Sequence, residues 1–132
     1  MKRIIAAILL TLAIIYLVPF AVYSLFSAAG LIAVPEGPPA MFLLSVLVDK
    51  IGVAVAFVLI YHLAWQAVTG RWLLYAFLWW LMFVFGELGQ APGPHYTWME
   101  ALAGIISEAI YFPLAAWRVE KLLGKGALMI DD

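Results

Sequence analysis

Hydrophobic positions along this chain gather into four predominantly apolar blocks, at about 4–29, 39–69, 71–90 and 97–122, separated by short breaks. A helix rises about 1.5 Å per residue and the hydrocarbon layer of a bilayer is about 30 Å thick, so about 20 mostly apolar residues suffice to cross it. Each block reaches that length. Inside a membrane no water satisfies backbone N–H and C=O groups, so these blocks are expected as helices. The pattern predicts an all-α protein, an integral membrane four-helix transmembrane bundle forming one domain over residues 1–132, with no internal repeat and no low-complexity tract.

Composition removes the alternatives. Of the 132 residues, 67% are hydrophobic and 11% charged, against roughly 45–50% and 25% in ordinary soluble domains. A chain this small is mostly surface and cannot hide so much apolar material inside itself. Seven Lys and Arg against eight Asp and Glu give a net charge of −1, so no basic field exists to hold nucleic acid. The absence of cysteine excludes disulfides, thiolate metal sites and redox dithiols.

Cytoplasmic loops and ends retain Lys and Arg. Lys2, Arg3, Arg71, Arg118, Lys121 and Lys125 are expected on one side, with Lys50 the exception. Both termini and the turn at Thr69, Gly70 and Arg71 are therefore read as cytoplasmic, and the cell membrane as the location. The connections 31–38 and 91–96 carry Pro and Gly without a cation and are expected outside. Trp65, Trp72 and Trp117 would mark the inner interface, with Tyr96 and Trp98 at the outer one. Lys2, Arg3 and the small residues Ser27, Ala28 and Ala29 resemble signal-peptide features, but the apolar run between them exceeds the about 7–15 residues of a signal core. A retained first helix is expected. The uneven charge distribution also argues against antiparallel dual-topology assembly.

Ionisable groups within spans cost roughly 2.5–3.5 kcal/mol at the centre on insertion scales, which singles out Asp49, Lys50, Glu87, Glu100, Glu108 and His62. Glu108 stands about 15 Å from either end of its span, too deep to snorkel out easily. It is expected either protonated and hydrogen-bonded or paired with a cation. Its plain alternative role is to glue two helices. Five residues on, Pro113 frees the carbonyl of Ala109, which predicts a distorted polar segment there. Thr97 and Glu100 have the spacing of a capping box.

Asp49 lies about 15 Å deep counted from Pro39, yet about 30 Å from Thr69. A helix of about 30 residues is too long for the hydrocarbon, so its outer end is expected to protrude, bend or lie under a loop. Adjacent helical residues point about 100° apart; Asp49 is expected to face inward and Lys50 to bend toward a carboxylate or the headgroups. Glu87 is flanked by Gly86 and Gly89, and Trp80 and Phe83 fall on its face. Trp79 and Trp80, near midspan, are candidates for walling a cavity, with packing as the plain alternative. His62 is expected neutral and bonded to a backbone carbonyl; His95 is read as a loop residue.

Metal, phosphate and dinucleotide motifs are missing: no Glu-x-x-His pair, no His-Glu-x-x-His, no phosphate loop and no Gly-x-Ser-x-Gly elbow. No cofactor and no metal are expected. Three functions remain. The first is an outward-open acidic pocket with Glu108 as general acid and Asp49 or Glu87 as the stabilising carboxylate; Trp79, Trp80, Lys50, Phe83 and Tyr111 would line it. It would bind a lipophilic, isoprenoid- or lipid-like molecule and perform cofactor-independent isomerisation or cyclisation. The second is proton or cation transport through a parallel homo-oligomer. The third is an accessory subunit registering helices against a membrane partner.

Overall fold

A computed structural model describes residues 1–33 and 39–124. Residues 34–38 of the first expected outer connection lie outside the described residues, as do Lys125 and the acidic tail. Among the described residues the protein is all-α: α1 Lys2–Ala28, α2 Pro39–Leu63, the single turn α3 Trp65–Val68, α4 Trp72–Gln90 and α5 Trp98–Leu123. The four longer helices are long and apolar enough to cross a membrane.

The second expected span is broken where no Gly or Pro announces it. Ala64 leaves helical geometry at φ −96°, ψ 16°, and α2 keeps 25 residues, about 38 Å. The helix is thus shorter than the expected span at its Leu63 end, while its start at Pro39 is where the sequence put it. Pro113 also departs from expectation, for α5 runs through it without a break.

Helix α5 is the centre of the bundle. Half of its span is buried, against 11–17% in the other three. The cause is side-chain size: Ala101, Ala103, Gly104, Ser107, Ala115 and Ala116 are all buried, and small residues let helix backbones approach. Helices α1 and α4 pack closely on either side of α5, and α2 packs on α1. The mean hydropathy of α5, 1.3, is the lowest of the four, as suits the helix whose neighbours are mostly protein. The outer faces instead carry large apolar side chains such as Leu17, Leu25, Val48, Leu63 and Phe85, each at least 60% exposed.

The helices alternate in direction. Tyr23, late in α1, donates to the carbonyl of Glu100, early in α5, at 3.1 Å. At the other end, Tyr61 near the close of α2 donates to the Glu120 carboxylate near the close of α5. Glu120 also accepts from the backbone N–H of Gly70 at 2.8 Å, stitching the α3–α4 turn to α5. Lys2, Arg71, Arg118 and Lys121 stand at this same end, which we call proximal; Arg118 and Lys121 flank the Trp117 ring at 4.6 and 4.7 Å. Gly70 has φ +79°, a left-handed conformation that costs other residues about 1–2 kcal/mol. Gly70→Ala is expected to lower stability by about 1 kcal/mol, read as a lower midpoint in a detergent melt. An unchanged midpoint would mean that the turn relaxes freely.

Candidate functional site

The fourth side of the bundle differs from the other three. Among the described residues no Cα of α2 comes within 8 Å of one in α4, so only large side chains span this seam. In its proximal half they do so completely. Phe57 of α2 meets Tyr75 at 4.8 Å between ring centroids, Trp79 at 5.3 Å and Phe112 of α5 at 5.7 Å. Tyr61 adds an edge contact to Tyr75 at 5.4 Å, and the Tyr75 hydroxyl donates to the Phe57 carbonyl. Phe57, Tyr61 and Phe112 are fully buried.

In the distal half the rings give out and the seam opens into a cleft of about 480 Å³. Asp49 and Lys50 line it from α2, Met82, Phe83, Gly86, Glu87 and Gln90 from α4, and Glu108 from α5. Two carboxylates meet here. Glu87 lies directly on Gly104 of α5: a Cβ at that glycine would stand 2.6 Å from its Cδ and Oε1. The absence of a side chain at Gly104 makes this seat. The Tyr96 hydroxyl donates to Glu87 and lies 3.2 Å from the hydroxyl of Tyr23. Burial, followed by the Glu87 carboxylate and Tyr23, holds the Tyr96 phenol well above its ordinary pKa, so it remains a proton donor at neutral pH.

Glu108 follows Gly104 by one turn. It is 3% exposed, shares the cleft lining with Glu87, and keeps its Oε2 without a hydrogen-bond partner among the described residues. Lys50 is turned in, 15% exposed, with Nζ 3.5 Å from Asp49 Oδ2 and 5.8 Å from the ring centroids of both Phe83 and Tyr111. Lys50 thus bends toward a carboxylate as expected, whereas Asp49 does not face inward. Asp49 is 67% exposed and stands at the cleft's mouth, because the longer lysine can reach the rings and acids inside while its neighbour must point away.

Other expected site residues have structural employment. Trp79 belongs to the aromatic wall, in tilted contact with both Phe57 and Phe112. The indole N–H of Trp80 donates to the Ile105 carbonyl of α5 at 3.3 Å, so this midspan donor is satisfied by backbone. Neither tryptophan lines the cleft. Tyr111 is buried beneath Lys50, its hydroxyl unpartnered among the described residues. His62 is half-buried with Nδ1 likewise unpartnered, where a backbone carbonyl was expected. His95 is an exposed loop residue. Thr97 and Glu100 form the capping box, with Thr97 N–H to Glu100 Oε2 at 2.6 Å and Glu100 N–H to Thr97 Oγ1 at 3.2 Å.

Sequence reasoning missed Tyr23, Gly104 and Glu120, and gave Tyr96 only an anchoring role. The small residue one turn before Glu108 was the available signal for Gly104; nothing marked Tyr23 or Glu120. Among the described residues no three His, Asp or Glu side chains gather as metal ligands would. Comparison with protein-family models, with curated proteins and with solved structures finds no match.

Proposed function

We propose that this chain is a multi-pass membrane protein, with its proximal end and termini on the cytoplasmic side, whose distal cleft binds a lipophilic small molecule and offers it acid–base chemistry. One observation carries the reading: Glu108, 3% exposed, lines a cleft that a ligand can enter and keeps a buried carboxylate oxygen without a hydrogen-bond partner among the described residues. A buried polar atom without a partner costs about 1–3 kcal/mol, and a ligand donor placed there recovers it.

The wide α2–α4 seam supports lateral access, since a lipophile diffusing in the outer half of the bilayer meets the cleft between two helices whose backbones stand apart. The orientation rests on the cations of the proximal end, which retain a membrane segment's cytoplasmic side. Chemically, Glu87 and Glu108 form an acid–base pair drawn from two helices. One carboxyl delivers a proton to the bound molecule while its neighbour stabilises the positive charge that develops. Tyr96 holds Glu87 in place from above. The carboxylate left by the donor then takes a proton from a neighbouring carbon of the cation, which forms the new double bond, restores the acid and completes an isomerisation or cyclisation without a cofactor.

The test is to purify wild type and Glu108→Gln in mild detergent and compare organic extracts of the two by mass spectrometry. A lipophilic species retained by the wild type and reduced about tenfold in the variant is expected, corresponding to about 1.4 kcal/mol of lost interaction. Matching melting midpoints would show that both are folded. Identical extracts from the two would remove the reading.

A further inference from the structure

The charges around the cleft do not balance, and their imbalance selects among lipophiles. Asp49, Glu87 and Glu108 face a single base, Lys50. Lys50 is held 3.5 Å from Asp49, so among the described lining residues Glu87 and Glu108 have only a cation already paired with a third carboxylate. Among the described residues Glu87 accepts from the Tyr96 hydroxyl and Glu108 Oε2 has no donor. An ammonium group already sits in these surroundings: the Lys50 side chain is 15% exposed, with Nζ over the rings of Phe83 and Tyr111, at a distance where ring faces attract cations.

We infer that the ligand's polar end is a protonated amine, taken by the buried, unpartnered Glu108 and its neighbour Glu87 while its apolar part extends along the α2–α4 seam. The inference rests on reading the cleft as a lipophile site. Its chemistry follows from desolvation. An ammonium brings a positive charge and the N–H donor that Glu108 Oε2 lacks among the described residues, and charge-assisted hydrogen bonds are about twice as strong as neutral ones. A phosphate or carboxylate head would instead meet two acids in an apolar setting. Lys50 then acts as a tethered competitor, its ammonium sharing the carboxylates with the ligand's.

Three probes with one tail separate the possibilities: dodecylamine, dodecanol and dodecyl phosphate, titrated calorimetrically into the full-length protein in zwitterionic nanodiscs, with empty discs subtracted. Dodecylamine is expected to bind about tenfold or more tightly than dodecanol, with dodecyl phosphate weakest. Glu108→Gln should close the gap between amine and alcohol. Lys50→Gln should tighten the amine severalfold, the opposite sign, which a general loss of structure does not produce. Equal binding of alcohol and amine, preference for the phosphate, or weaker amine binding in Lys50→Gln would overturn the amine assignment and leave a lipophile cleft. No protein-dependent binding of any probe would overturn the cleft reading as well.

Discussion

Adding one methyl group at Gly104 is expected to expel Glu87 from its seat. An alanine Cβ there would stand 2.6 Å from the Glu87 Cδ and Oε1 and 2.9 Å from Oε2, separations no packed pair of atoms sustains. Either the α4–α5 contact opens or the carboxylate leaves. The clashing atoms are the tip of a flexible side chain, so the carboxylate moves, swinging outward into the cleft. It takes with it the hydrogen bond from Tyr96 and its place beside Glu108. Losing a hydrogen bond to a charged group costs about 1.5–3 kcal/mol, and overpacking adds to that figure where the helices fail to yield. Gly104→Ala should therefore lower the detergent melting midpoint and abolish the difference between amine and alcohol probes. In a Glu87→Ala background the same substitution should cost almost nothing, because the obstructing carboxylate is gone. An equal cost in both backgrounds would place the clash on the α4 backbone and deny Gly104 its role as a seat.

What the sequence could and could not disclose follows from the range of each interaction. The four long helices and the Thr97–Glu100 capping box are local facts, written in block length and in a four-residue spacing, and the structure places them within two residues of expectation except at the end of α2. The break at Ala64 has no Gly or Pro to signal it; nothing between Leu63 and Trp65 disfavours a helix. The pairing of Glu87 with Glu108 was legible only in part. Each acid stood out as costly within an apolar block, but their approach depends on the register of α4 against α5, which Gly104 sets by its missing side chain. The same limit explains why Asp49 does not face inward. Helical geometry states that the two diverge by about 100°; which of them turns inward depends on where Phe83, Tyr111 and Glu108 stand. Trp80 shows the converse. Its indole falls near the middle of its helix, and the acceptor it uses is a carbonyl on another helix, invisible to any count along the chain.

Truncating Phe57 to alanine is expected to be the most destabilising single change in the protein. Large-to-small substitution of a buried phenylalanine costs about 3–5 kcal/mol in water-soluble cores. For a chain in lipid the transfer part of that cost shrinks, because acyl tails are as apolar as the protein interior, and the lost packing remains. The estimate therefore falls toward the lower end, about 3 kcal/mol. What keeps it from falling further is the geometry of the seam. Elsewhere in the bundle backbones pack closely and a missing side chain is partly compensated, but α2 and α4 stay more than 8 Å apart at every Cα among the described residues. Phe57 bridges them through Tyr75 and Trp79 and reaches α5 through Phe112. Without the ring, the proximal half of the seam becomes a continuation of the distal cleft, and longer-tailed probes should gain affinity even as the melting midpoint drops. Phe57→Leu, which keeps most of the volume, should cost under about 1.5 kcal/mol. If Phe57→Ala melts no lower than alanine at exposed Leu44, the aromatic wall does not hold the seam. The cleft's closed end would then need another cause.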